Sequence, residues 1–194
     1  VPGDFSSLAF PVAAALLTKS SIKLYPVDMN DVQGDKALLD ILSKMGAKFE
    51  YQADSLSLIV HPCSGLTGIK VDINHCVDAV SILAVIGCYA EGETIIAGAA
   101  IARQKESDRI AAICQELKTM GANIQETEDG LIVKKSQLKN ARVSSHEDHR
   151  IAMSLACAAL LAQGETRIEN IACVSKSFPN FSQHMSQLGM LIQE

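Results

Sequence analysis

The chain contains no tryptophan, and aromatic residues make up only 4% of its 194 positions. A core without large rings is filled by Ala, Val, Ile and Leu, which suits closely apposed helices and sheets. Long hydrophobic runs are also missing. The most apolar stretches, Leu8–Leu17 and Ala79–Ala90, are too short to cross a bilayer, so neither a transmembrane helix nor a membrane partner is expected. Basic residues are outnumbered, 17 against 22 acidic, and the net charge of −5 argues against a nucleic-acid partner. The N-terminal Val-Pro-Gly-Asp has neither a basic segment nor an initiator Met, so the expectation is a chain without a signal peptide that begins partway through a longer protein. No CxxC spacing occurs among Cys63, Cys76, Cys88, Cys114, Cys157 and Cys173, which points to reduced, buried thiols in a cytoplasmic protein rather than to zinc or disulfides. With 48% hydrophobic and 20% charged residues, the chain has ample material for a folded core.

What is present is a repeat. Three Ala-rich apolar helices are predicted at Ser6–Leu17, Asp78–Ala90 and His149–Leu161, each followed by a short polar turn and a β-branched strand. The turn residues Ser20, Gly92 and Gly164 stand at equal intervals of 72 residues. A second, amphipathic helix then ends near Gly46, Gly121 and Gly189, glycine being suited to the left-handed position that closes a helix. The second of these is expected over Glu106–Met120. Repeats one and two close with hairpins, Lys48–Gln52 with Leu56–His61 and Asn123–Thr127 with Leu131–Lys135. The third ends in a strand at Leu191–Glu194 and lacks its returning partner. Because an open strand edge is a liability, the missing strand is expected from elsewhere in a parent chain or from a partner. The first helices, apolar on nearly every face, should be buried, and the second helices should lie outside. The expected architecture is one α/β domain over 1–194, with three βαβαββ-like repeats at about 1–62, 71–135 and 144–194 around a helical centre. Pro62–Ile73 and Ser136–Ser145 serve as connectors.

Charged residues recur at corresponding points of the repeat. Asp4, Asp78 and Asp148-His149-Arg150 stand where the first helices begin, and Asp31–Asp35, Lys105–Arg109 and Lys176-Ser177 where the second ones begin. Helix N-termini carry free N–H groups and the positive end of the helix dipole, so several facing the same way form an anion site. Arg103, Lys105, Arg109, Arg150 and Lys176 concentrate there despite the acidic whole, which points to a compact, multiply charged and phosphorylated substrate. Plainer readings stand beside this one. Asp78 and Ser6 fit simple N-caps, Glu106 with Arg109 and Lys105 with Asp108 fit helix-surface pairs, and His149 fits a structural hydrogen-bonding role. His61, His75, His146 and His184 read as surface or satisfied core residues. No metal-ligand spacing is present.

The strings Val1-Pro-Gly-Asp-Phe-Ser-Ser7, Gln104-Lys-Glu-Ser-Asp-Arg-Ile110, Asp148-His-Arg-Ile-Ala-Met153 and Cys173-Val-Ser-Lys-Ser-Phe-Pro179 resemble the C-terminal half of the 5-enolpyruvylshikimate-3-phosphate (EPSP) synthase family. The resemblance runs over essentially the whole chain. It implies one domain of the enolpyruvyl transferase fold, an inside-out α/β barrel, with the N-terminal half absent and its first segment returning to complete this domain. It also implies transfer of the enolpyruvyl group of phosphoenolpyruvate to the 5-hydroxyl of shikimate 3-phosphate, without metal or organic cofactor. By the same resemblance, Asp78 holds the shikimate hydroxyls and assists removal of the 5-hydroxyl proton, and Lys105 contacts shikimate 3-phosphate. Glu106 handles the proton at the methylene carbon, while Arg109, Arg150 and Lys176 grip phosphoenolpyruvate. Gln104 stands where the family often has a small aliphatic residue, and Arg103 is a weaker candidate. Two alternatives remain at this point: the related transferase acting on UDP-N-acetylglucosamine, against which the Lys105–Arg109 and Asp148–Met153 strings weigh, and a non-catalytic domain with an inherited fold.

Overall fold

Helices α1 (Phe5–Thr18), α3 (Val80–Tyr89) and α5 (His149–Ala159) pack against one another at the centre of the computed structural model, which describes residues 3–193. Val1 and Pro2 of the first motif, and Glu194, lie outside the described residues. The central helices are buried because their sequences leave no polar stripe: every residue of α3 from Val80 to Cys88 is inaccessible, as are Ala9 to Leu17 of α1. Helices α2 (Ala37–Lys44), α4 (Arg109–Thr119) and α6 (Phe181–Gln187) pack outside them, each burying one apolar face, Leu38, Leu39, Ile41 and Leu42 in α2 for example. The chain leaves α2 and α4 through Gly46 and Gly121 at φ +109° and +91°, a conformation that costs glycine little and other residues more.

The middle repeat shows the complete unit. Strand β4 (Lys70–Asp72) pairs parallel with β5 (Glu93–Ala97) across α3, and β5 pairs antiparallel with β7 (Leu131–Lys134), which is bordered by β6 (Asn123–Glu126), giving the order β4-β5-β7-β6. A parallel pair requires a crossover, and the buried helix provides it. The first repeat has β1 (Ile22–Leu24), β2 (Lys48–Gln52) and β3 (Ser57–His61) in the order β1-β3-β2, the counterpart of the middle sheet without its parallel leading strand. The third has β8 (Arg142–Ser144) parallel to β9 (Arg167–Glu169) and nothing on the far side of β9 among the described residues.

Two expectations are corrected here. Residues 190–193 form no strand, because the sheet they would join stops at β9, so among the described residues the third repeat is short of two strands rather than one. The stretches read as connectors carry the leading strands β4 and β8, each held by hydrogen bonds to the strand that follows the central helix. Among the described residues no helix is long and apolar enough to cross a membrane. All six cysteines are free and buried, and burial pushes the thiols of Cys88 and Cys157 up to about 12.

Candidate functional site

The site forms where the N-terminal ends of α3, α4 and α5 converge. Asp78 sits in a 3₁₀ turn, Val77–Ala79, that leads into α3, and its carboxylate does not cap the helix. It turns instead to three cations: Oδ1 lies 2.7 Å from Arg109 and 3.4 Å from Lys105, and Oδ2 lies 3.2 Å from Arg150. Burial pushes the Asp78 carboxyl up, but Arg150, Arg109 and Lys105 together hold it below the usual carboxylate range.

Helix α4 starts later than the sequence pattern suggests. Asp108, in a non-helical conformation, caps it by accepting the N–H of Ala111 at 3.0 Å, so Lys105, Glu106 and Ser107 lie in the preceding loop. Asp108 is thus paired not with Lys105 but with Arg103, at 2.9 Å. Arg103 also donates to the carbonyls of Thr127 and Glu128, at 2.6 and 3.0 Å, and ties the loop to the tip of the β6–β7 hairpin, away from the cluster. These contacts pair Arg103 with groups outside the Asp78–Arg109 network, and Gln104 beside it is exposed.

Arg109, the first residue of α4, is the centre of the cluster and only 1% exposed. Each guanidinium nitrogen meets a different carboxylate: Nε donates to Asp148 at 2.7 Å, one terminal nitrogen to Asp78 at 2.7 Å and the other to Glu106. Asp148, wholly buried, caps α5 by accepting the N–H of Arg150 at 2.8 Å and also takes the Ser107 hydroxyl at 3.0 Å. Burial raises the Asp148 carboxyl, and the hydrogen bond and charge of Arg109, with these two donors, outweigh it and leave it depressed. His149 faces Glu106 at 3.8 Å; its own burial, followed by the charge of Arg150, lowers its affinity for a proton, so the ring is neutral near pH 7.

Five of the six residues singled out in the sequence, Asp78, Lys105, Glu106, Arg109 and Arg150, therefore meet in one network. Lys176 does not join it: it is exposed at the end of the 3₁₀ segment Ile171–Lys176, which packs on α5, and it makes no ion pair among the described residues. The reading of an unbalanced cationic cluster is corrected. Asp78, Glu106 and Asp148 match Lys105, Arg109 and Arg150 one for one, because carboxylates from three separate segments fold onto the same arginine. Asp148 was legible only as a helix start; its pairing with Arg109, 39 positions away, leaves no local signal. Ser6 is not a cap either. Asp4 caps α1 by accepting the N–H groups of Ser6 and Ser7, which frees the Ser6 hydroxyl to bond Asp35.

The network is an open wall. The side chain of Glu106 is 49% exposed and that of Lys105 is partly exposed, while the crevice beside Asp78 and Arg150, bounded by Phe5, Ser6 and Asp35, holds about 10 Å³. Charged oxygens and nitrogens in this arrangement suit the binding of a polyanion and proton transfer through a carboxylate. Among the described residues, no group of three or more His, Cys, Asp and Glu side chains is placed to hold a metal ion.

The α/β domain matches about half of larger solved structures. A crystal structure of an enolpyruvyl transferase from Streptomyces tendae, 20% identical, superposes over the whole chain and 44% of its own length with a TM-score of 0.77, a likeness of fold alone. The likeness to an EPSP synthase from Acinetobacter baumannii is stronger, with a TM-score of 0.89 at 31% identity over the whole chain and 47% of that structure. Residues 1–185 match the family described as EPSP synthase (3-phosphoshikimate 1-carboxyvinyltransferase), and the chain belongs to this family. Relatives named 3-phosphoshikimate 1-carboxyvinyltransferase from Chlamydia pneumoniae and Methanocaldococcus jannaschii are 47% and 42% identical over all of this chain, which covers 43% and 45% of them. The chain thus spans about half the length of the relatives it matches.

Proposed function

We propose that this chain supplies one wall of the active site of a 3-phosphoshikimate 1-carboxyvinyltransferase, with the other wall contributed by an N-terminal half. The observation that carries the reading is the convergence of Asp78, Lys105, Glu106, Arg109 and Arg150 in one network with a half-exposed carboxylate at its surface. Phosphoenolpyruvate takes the guanidinium edges of Arg109 and Arg150 and the ammonium of Lys176; Lys105 and Asp78 hold shikimate 3-phosphate.

The charge balance shapes the chemistry. An incoming anion competes with Asp78 and Glu106 for the arginines, so binding draws positive charge away from Asp78 and raises its basicity. Asp78, held ionised in the free site, is then better able to accept the proton of the attacking 5-hydroxyl. The 5-hydroxyl oxygen, its proton passed to Asp78, forms a bond to C2 of phosphoenolpyruvate as Glu106 delivers a proton to the methylene C3, giving a tetrahedral ketal. Removal of a C3 proton by Glu106 and departure of phosphate with its bonding electrons then restore the double bond. The residues assigned here carry out these steps with neither metal nor organic cofactor. The buried free thiols fit a reducing, cytoplasmic setting.

A charge-balanced, open wall binds an anion weakly by itself, since the positive charge it offers is already shared and water screens the rest. The test is phosphate release from phosphoenolpyruvate plus shikimate 3-phosphate. The chain alone is expected to show negligible turnover, and mixing with a separately produced N-terminal half to restore it. In the restored pair, Glu106→Gln removes turnover while keeping binding. Robust turnover by the chain alone, or preference for UDP-N-acetylglucosamine as acceptor, refutes the reading.

A further inference from the structure

Glu116 is a buried carboxylate that the chemistry above does not use. It lies on α4 two turns after Arg109, hence on the same helix face, and is 4% exposed. Its Oε1 pairs with Nε2 of His146 at 2.7 Å and its Oε2 accepts the backbone N–H of Ser144 at 3.1 Å. Ser144 ends β8 and His146 lies in the turn that follows it, the turn that leads to α5 and delivers Asp148.

That turn is strained. His146 and Glu147 are consecutive non-glycine residues at φ +52° and +59°, a left-handed conformation that side chains with a Cβ adopt only when their surroundings impose it. Ser144 Oγ accepts the N–H of His146 at 3.1 Å; Ser145 Oγ accepts that of Glu147 at 3.0 Å and donates to the Asn170 carbonyl at 2.8 Å. These bonds brace the turn internally and against the segment after β9. Against α4, the turn is held through Glu116 at Ser144 and His146 and through Arg109 at Asp148.

We propose that Glu116 is a positioning residue: α4 grips the Ser144–Asp148 turn at two points, Glu116 with His146 and Ser144 at one end and Arg109 with Asp148 at the other, and the first grip sets the geometry of the second. Because Asp148 caps α5, the same grip fixes the helix start from which Arg150 reaches Asp78. The link to substrate rests on the function proposed above; the link between Glu116 and the Arg109–Asp148 pair does not.

Two measurements separate these. The first is ¹⁵N NMR of the 194-residue chain, reading hydrogen exchange at Arg109 Nε–H, which the bond to Asp148 protects. Glu116→Ala is expected to speed this exchange at least tenfold while the backbone amides of α3 keep their rates. Glu116→Gln, whose amide oxygen still accepts one of the two donors, is expected to give an intermediate change of at least threefold and decides the matter if the alanine variant does not fold. Unchanged Arg109 exchange in the folded variants, or a speed-up shared equally by α3, overturns the proposal. The second is steady-state kinetics of the chain mixed with its N-terminal half. Here Glu116→Gln is expected to raise KM for phosphoenolpyruvate at least fivefold, with kcat and KM for shikimate 3-phosphate within twofold; equal losses in all three overturn it. A wild-type pair that releases no phosphate refutes the proposed function and leaves the NMR measurement to decide the role of Glu116.

Discussion

Replacing Asp148 by asparagine changes one oxygen to an NH₂ group with almost no change of shape, and the structure sets the consequence. One oxygen of Asp148 accepts from Arg109 Nε and Ser107, the other from the N–H of Arg150. An amide has a single oxygen, so whichever way it is turned, its NH₂ group meets a donor. Breaking a buried ion pair from one side costs about 3–5 kcal/mol. Arg109 keeps Asp78 and Glu106 as partners, which places the expected cost near the lower end, about 3 kcal/mol. For a chain of this size that lowers the melting temperature by roughly 6–12 °C. With no tryptophan in the chain, urea unfolding at pH 7 is best followed by far-ultraviolet circular dichroism. The pH dependence follows from the depressed carboxyl of Asp148. A group whose folded pKa lies below its unfolded value, about 3.9, stabilises fully above that value and loses the contribution as pH falls through the folded pKa. The gap between wild type and Asp148→Asn should therefore be widest at neutral pH and close progressively below about pH 4. A cost under about 1 kcal/mol at pH 7, or a gap independent of pH from 7 to 3, refutes the reasoning. Replacing both partners, Arg109→Met with Asp148→Leu, should recover part of the loss of either single change, because no buried charge is then left alone.

Lys176→Met should leave the melting temperature within about 1 °C of wild type, since this exposed side chain makes no ion pair among the described residues, yet raise KM for phosphoenolpyruvate in the restored pair by about tenfold or more, the worth of one charge-assisted hydrogen bond. Unchanged KM removes Lys176 from the site. Gly130→Ala probes the hairpin tip that braces the loop before Lys105. The added Cβ would lie 1.9 Å from the carbonyl oxygen of Ile96, a backbone atom, so the strand end must move. A loss of about 3 kcal/mol in urea unfolding is expected, and a neutral result shows that the hairpin tip yields freely.

Much of the architecture was legible because it depends on short-range periodicity. Helices without a polar stripe have to be buried wherever they sit, and α1, α3 and α5 form the centre within two residues of the expected bounds. Equal spacing of turn residues marked the repeat, and glycine after the second helices marked their ends. The strands β4 and β8 were missed because three residues held by a parallel pairing carry no pattern of their own. The same limit applied at the site. Helix N-termini and the charged residues beside them announced a place for anions, and five of six chosen side chains meet there. Asp148 showed only as a helix start and Glu116 not at all, since a buried carboxylate is distinguished only by the partner that folding brings to it.

The sequence by itself determined the repeat, the burial of one helix in each unit and the end of the domain at which charge gathers, because these follow from the order of residue types along the chain. The tertiary structure alone decided that the gathered charge is balanced, that Arg109 is its buried centre and that Lys176 stands apart. Charge compensation depends on distances of about 3 Å between residues 31 to 72 positions apart, and only the packing of α3, α4 and α5 sets those distances.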